Sequence, residues 1–517
     1  ALFLNAAKAA IAPRYLVFNP VGAQGLEQVS GSDVDVLYAE FWPWDKAPDG
    51  LNYDTYYSIH RAILDACALS GGKSLVVAAY VNYRNPLRAF NPSAVRLLDY
   101  FLHRGTASGG ELAVGVALAA VGSTGVIVNL TVGIFTGVSA GAVVIIAQQF
   151  GARKWEDVHK SVHTTMLLGV IVGAFFMVAG FILTPWALRA MGTTEEAMPG
   201  AVLYLRVYFL GMVPNVVYNM GTGVLRAIGD FRRPLYFLIA ASGCNIVLDL
   251  LLVLVFHLDV AGVAIATICS QLLSAVLVVV ALLRSEMTPY QLFPRQLHIH
   301  PEPMRGILHI GVPTALQSVM YSASNIVIQA AINSFGTDTV AAWTAYGKMD
   351  VIFWMTVTAM SQSITTFAGQ NYGAGQYQRV KKGLWVSVGM LSVFTIGISA
   401  IFFFLARPIL TIFTPDAAVL DIGVDMVRFL APCYITYILI ELIAGAVRGA
   451  GKSVGPMLID VFGVCGLRLA WLFLVVPVHH TLTVVMFSYP ITWTVTSVAL
   501  LIYYFFGRWL REPQPAP

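Results

Sequence analysis

Asn245 and Asp249 stand four residues apart in the apolar run "CNIVLD", a spacing that puts both on one face of a helix. A carboxylate beside a carboxamide oxygen suits Na⁺, or a proton held on a desolvated aspartate. An ionisable side chain inside a membrane span is costly to keep in lipid, so each is a functional candidate. Asn219 lies one span earlier as a further candidate ligand. Asp350, Glu441 and Asp460 are later intramembrane carboxylates, with Lys348 and Arg468 available to neutralise them as structural ion pairs. Gln317 and Asn325, on a span containing Pro313, suit hydrogen bonds to a substrate or to a neighbouring helix. Tyr346, Met349, Phe353, Trp354 and Met355 suit an adaptable pocket, or plain packing.

A different chemistry is suggested upstream. Glu40 ends an apolar strand inside "YAEFWPWD", where Trp42 and Trp44 could stack on sugar faces. Glycoside hydrolysis needs two carboxylates flanking the bond; Asp33, Asp35 and Asp45 read better as loop or strand-edge residues. His298 and His300, in "LFPRQLHIHPEP", read as part of a polar linker rather than a metal site. The five cysteines are scattered singly and give neither a metal spacing nor a disulfide framework. No metal and no organic cofactor is expected.

The elements that carry these residues are mostly membrane helices. The chain has 517 residues, 57% hydrophobic and only 11% charged, with a mean hydropathy of +0.73. Soluble domains carry about 25% charged residues. A net charge of +4 gives no argument for a nucleic-acid partner. Eleven candidate spans follow Leu112, from 114–148 to 482–506 and including 199–225 and 306–334. Alternate loops hold the Lys and Arg residues, among them Arg153, Arg226, Arg233, Arg379 and Arg448, so that set faces the cytoplasm. Upstream, strands at 15–20, 34–42 and 74–82 alternate with helices near 2–11, 54–69 and 92–103, a parallel βα pattern.

The membrane part repeats itself at a constant offset of 222 residues. "GVLRAIGDFRRP" matches "GAVRGAGKSVGP" through Gly223/Gly445, Arg226/Arg448, Gly229/Gly451 and Pro234/Pro456, and Gly151-Ala152 matches Gly373-Ala374. Asn219 then pairs with Glu441. Two bundles in one orientation imply lobes related by an axis along the membrane normal, with a substrate path between them. The counterpart of 306–334 should fall near 84–112, where the sequence is too polar to cross. One helix of the first lobe is therefore expected to be missing. The sequence opens on Ala1 without a basic-then-apolar leader, which suggests a start inside a longer reading frame.

"ALAAVGSTG", "TGVSAGAVVIIAQQFGA", "VLRAIGDFRRPL", "GVPTALQS", "FAGQNYGAG" and "AVRGAGKS" occur here in the order seen in the multidrug and toxin extrusion (MATE) antiporters, which residues 112–510 resemble. The resemblance implies a two-lobe, all-α exporter coupled to Na⁺ or H⁺. It would move small organic, cationic compounds by alternating access as a monomer in the bacterial inner (plasma) membrane. It also implies that Asn245 and Asp249 match the first-lobe cation site, whose usual partner is an Asp on the helix missing here. "FNPVGAQG", "VDVLYAEFWPWD" and "GGKSLVVAAYVNY" resemble glycoside hydrolase family sixty-six, the dextranases and cycloisomaltooligosaccharide glucanotransferases. That likeness implies part of a (β/α)₈ barrel in which Glu40 is a vestigial general acid/base without its nucleophile.

The expected organisation is a hydrolase-like segment over 1–104, a junction at 105–113, a first lobe at 114–284, a cytoplasmic linker at 285–304, a second lobe at 305–510 and a tail at 511–517. The leading expectation is a transporter rather than an enzyme. The alternatives are a lipid-linked sugar flippase of the same superfamily, or a non-functional join of a truncated hydrolase and a truncated transporter.

Overall fold

The computed structural model describes residues 111–190, 198–256, 259–414, 416–507 and 509–510, together with three short strands. Strands β1 (Val17–Phe18), β2 (Val36–Phe41) and β3 (Ser74–Ala79) pair in parallel in the order β1-β2-β3. Val17 lies opposite Val36, and Glu40 opposite Ala78. Parallel neighbours require a crossover between them, as the βα pattern demands. The helices expected near 2–11, 54–69 and 92–103 lie outside the described residues. The strands belong to a unit of residues 1–122 with 193–201, and the remaining residues form a second unit.

The second unit is built from helices, two of which begin within the first unit. The first set comprises α1 (Glu111–Gly151), α2 (Trp155–Ala190), α3 (Met198–Leu210), α4 (Met212–Ala227), α5 (Arg232–Leu250) and α6 (Asp259–Leu283). The second comprises α7 (Pro301–Asn333), α8 (Thr337–Gly373), α9 (Tyr377–Leu410), α10 (Ala417–Leu430), α11 (Ile438–Gly449), α12 (Val454–Asp460), α13 (Leu467–Leu474) and α14 (Leu482–Phe506). Among the described residues, nine helices or helix runs are long and apolar enough to cross a membrane. A tenth span is counted if α3 and α4, bent by 46°, are taken together. The eleventh expected span, 306–334, is present as the 33-residue α7 but falls outside the apolar set. It carries Arg305, His309, Gln317, Asn325 and Gln329 along its length, and such polar groups make its transfer into lipid less favourable. This is a multi-pass integral membrane protein.

Packing is apolar on both sides of these helices, as a membrane requires. The first set centres on Ile146, Val162, Val224, Leu225 and Val278. The second centres on Phe353, Tyr434 and Trp493, with the Phe353 and Tyr434 rings stacked at 4.1 Å. Phe175, Ile182, Trp186 and Phe404 point outward from α2 and α9, surface that suits lipid tails. In α9 the helix kinks at Leu405, close to Pro408, whose ring clashes with the preceding turn.

The repeat is visible in the turns. Gly229 and Gly451 close α4 and α11 at φ +93° and +86°. In each turn, the glycine N–H and the following N–H donate back to the last helical turn: Gly229 N to Arg226 O and Asp230 N to Leu225 O, Gly451 N to Arg448 O and Lys452 N to Val447 O. Arg153 and Gly375 hold the matching positive φ after α1 and α8, at 56° and 71°. Only one of that pair is glycine, so Arg153 bears a left-handed cost of about 1–2 kcal/mol. Replacement by Gly relieves this cost but adds unfolded-state entropy of about 0.5–1 kcal/mol. Arg153→Gly is therefore expected to raise the midpoint of thermal unfolding slightly; a lowered midpoint would show that the arginine side chain contributes more than its backbone costs.

Candidate functional site

The two helix sets meet along a seam of small residues. A Cβ on Gly137 would lie 2.4 Å from the Ala315 backbone N, and one on Gly141 only 2.2 Å from the Ile307 carbonyl oxygen. Near the ends that carry the basic loops, α1 and α8 close on each other reciprocally. A Cβ on Gly151 would meet Gln370 O at 1.9 Å, and one on Gly373 would meet Gln148 O at 1.9 Å. The two glutamines then cap the opposite set: Gln148 Nε2 donates to Gly449 O, and Gln370 Nε2 donates to Ala227 O, each at 2.8 Å. Three pairs here obey the 222-residue offset: Gly151/Gly373, Gln148/Gln370 and Ala227/Gly449. Carbonyls at a helix C-terminus lack intrahelical partners, so each set completes a helix end of the other.

Above this closure lies a cavity of about 200 Å³ whose walls come from both sets, including Ser139, Arg226, Gln362, Thr365, Glu441 and Arg448. Ser139 Oγ donates to Asn219 O at 2.9 Å, and Ser361 Oγ to Glu441 O at 3.3 Å, again repeat mates. Arg226 and Arg448, counted with the cytoplasmic loops in the sequence, instead occupy the last turns of α4 and α11 and line this cavity. The Arg226 guanidinium donates through Nε to Thr222 O at 3.3 Å and through Nη1 to Gln362 Oε1. Helical side chains lean toward the N-terminus, and that lean turns Arg226 inward.

In the first set, Asn245 and Asp249 lie one turn apart on α5, both half-buried. Asp249 Oδ1 is shut from solvent without a hydrogen-bond partner among the described residues. Asn219 donates to Asn215 O and Oδ1 on its own helix, both at 2.9 Å, rather than to Asp249. A π-helical segment, Leu251–Val255, follows directly.

The second set is more tightly built. Asp460 is fully buried and accepts from Gln317 Nε2 at 2.6 Å, and its other oxygen has no partner among the described residues. Tyr437 donates to Glu441 Oε1 at 3.1 Å. Gln317, Tyr321, Tyr437, Glu441 and Arg448 share the walls of a cavity of about 270 Å³, which has Glu441 and Arg448 in common with the first. A π-helical segment, Val461–Gly466, begins beside Asp460; such segments are frequent at functional positions. Asp350 accepts from Trp354 Nε1 at 2.7 Å on its own helix. Asn325 is exposed and takes no part in these contacts.

The expected ion pairs do not form. Lys348 is exposed, and Arg468 instead donates to Thr492 and stacks 4.3 Å from the Tyr489 ring centroid. Among the described residues, no ion pair involves Asp350, Glu441 or Asp460. Burial selects neutral amide, indole and phenol donors for these carboxylates, since an unmatched geometry would not offset desolvation of two charges.

The MatE family model matches residues 110–251 and 313–474, more than half of the chain. The chain belongs to the MatE family. Among its MatE relatives, "Probable multidrug resistance protein YoeA" of Bacillus subtilis (strain 168) is 26% identical over 404 residues, covering 75% of this chain and 86% of that protein. A protein named "FAD transporter" from Shewanella oneidensis is 28% identical over 313 residues, covering 59% and 68%. A solved outward-facing structure of a multidrug resistance MATE transporter aligns with a TM-score of 0.70 at 22% identity, covering 76% of this chain and 87% of that one, so the fold is shared. Residues 1–120 match the model of glycosyl hydrolase family 66, and there Glu40 occupies the next-to-last position of β2.

The placement of Arg226 in this MatE chain escaped the sequence reading. The inward turn of Arg226 depends on a tertiary contact with Gln362, and the charge of an arginine at a helix end reads as a loop signal. The aromatic group, by contrast, resolves as packing: Tyr346, Met349 and Phe353 are buried in the core of the second set, while Met355 is exposed. The linker histidines dock on α2, with His300 N donating to Thr164 Oγ1 at 3.0 Å. Burial, then the neighbouring His298, hold His300 below the usual imidazole range. Among the described residues, no group of three metal-ligating side chains forms.

Proposed function

We propose that residues 114–284 and 305–510 act as two lobes of a cation-coupled exporter of small organic compounds, joined by the linker at 285–304 and working by alternating access. The observation that carries this reading is the reciprocal closure of α1 on α8, in which Gln148 and Gln370 each cap the other lobe. A closure made of two small, equivalent contacts can open at modest cost, as a two-state transporter needs. Relatives named as probable multidrug resistance proteins support small organic substrates. Asn245 and Asp249, with Asn219 nearby in sequence, are proposed to hold Na⁺ or H⁺ in the first lobe. Asp460 with Gln317 and Glu441 form the second coupling candidate, and Asp350 a third. Asn325 is proposed as a substrate contact on α7.

The test is Asp249→Asn in proteoliposomes under a maintained ion gradient. Loss of gradient-driven efflux with retained monodisperse elution is expected, because the amide keeps the shape but cannot exchange charge. Full efflux by the variant would remove Asp249 from the coupling mechanism.

A further inference from the structure

We propose that the cavity between the lobes receives the anionic group, a carboxylate or phosphate, of an organic substrate, held between Arg226 and Arg448. This rests on the exporter reading and names the substrate class for the same cavity. A long basic side chain at the cytoplasmic end of a membrane helix ordinarily extends its charge toward water. Arg226 does the reverse: its Nε folds back to Thr222 O, and its Nη1 reaches Gln362 on the opposite lobe. Gln362 is neutral, so the guanidinium is held in place without losing its charge to a carboxylate.

The same wall is repeated by symmetry, since Arg448 is the mate of Arg226 and lines both cavities. Neither arginine forms an ion pair among the described residues. The lining therefore has two guanidinium groups against one carboxylate, Glu441, which already accepts from Tyr437. Thr366 Oγ1, on the same lining, is shut from solvent with no hydrogen-bond partner among the described residues. A planar guanidinium presents a fork of donors that matches carboxylate and phosphate oxygens. An organic cation would meet repulsion from two charges here, which departs from the cationic substrates expected from family resemblance. At about 200 Å³ the cavity is smaller than the roughly 300–1,000 Å³ of a drug-sized pocket. It accommodates the charged end of a substrate while the remainder extends toward the adjoining cavity.

Two flavins that differ only in a phosphate isolate this contribution. Equilibrium binding of flavin mononucleotide and of riboflavin would be measured on the purified full chain by flavin fluorescence, alongside Arg226→Gln, Arg448→Gln and Arg226→Lys. The expected result is tighter binding of the phosphorylated flavin, with the preference falling roughly ten- to a hundredfold in each glutamine variant and partly retained in Arg226→Lys. Monodisperse elution and an unchanged thermal midpoint of each variant report that the fold is intact. Equal binding of both flavins by the unaltered chain, or a phosphate preference that survives both glutamine variants, would overturn the proposal. Ion-driven flux of tetraphenylphosphonium and of flavin mononucleotide in proteoliposomes tests the exporter reading separately. Absence of any flux beside an arginine-dependent phosphate preference would defeat that reading and leave the anion site standing. Flux of tetraphenylphosphonium without a phosphate preference would do the opposite.

Discussion

Gly151→Ala and Gly373→Ala are each expected to reduce ion-driven efflux by roughly 5- to 150-fold while leaving the protein folded. An added Cβ at either position would stand 1.9 Å from a carbonyl oxygen of the facing helix, well inside any permitted contact. The oxygen belongs to backbone, so no side-chain rotation relieves the clash, and overpacking of this kind costs about 1–3 kcal/mol. That cost falls only on the arrangement in which α1 and α8 meet, so it shifts the population away from it by the stated factor. The check is labelling from the cytoplasmic side of a cysteine replacing Ser139, in a background lacking the native cysteines. Labelling should accelerate in both glycine variants. Unchanged labelling together with unchanged efflux would mean that this contact is no gate.

A comparably large effect is expected where Gln317 meets Asp460. Gln317→Leu leaves a fully buried carboxyl group without the one donor it has among the described residues, a loss of about 1–3 kcal/mol for a buried acceptor left unsatisfied. Replacing both residues, as Gln317→Leu with Asp460→Leu, removes donor and acceptor together, and such paired apolar replacements are often close to neutral. The double variant should therefore unfold at a higher temperature than Gln317→Leu alone in detergent, a non-additive outcome typical of direct partners. It should also lose the ion dependence of efflux if Asp460 couples transport. Strict additivity of the two single effects would show that the pair is not energetically linked.

Much of the scaffold was readable before any coordinates. A span must supply about 20 apolar residues, and in lipid every backbone polar group must be satisfied within the helix, so span positions appear directly in composition. The bent α3–α4 pair still matches the single expected span 199–225, and Gly229 and Gly451, paired by the repeat, both prove to close helices. The exception is instructive. α7 is a full-length helix but carries too many polar residues to count with the apolar set, because part of its surface serves the site through Gln317.

Candidate carboxylates were also visible, since an acid inside a span is conspicuous; their partners were not. Sequence alone offered Lys348 and Arg468, whereas the structure supplies Gln317, Tyr437 and Trp354, each a choice made by helix rotation and packing. Spacing within one helix is fixed by 3.6 residues per turn, which is why Asn245 and Asp249 could be placed on one face of α5. Contacts between helices depend on crossing angles and on which small residues allow close approach. The sequence therefore determined a duplicated membrane bundle with acids in its spans. Only the tertiary structure decided that Arg226 and Arg448 turn into the cavity, and that Gln148 and Gln370 close its floor, because each of those positions is set by atoms of the opposite lobe.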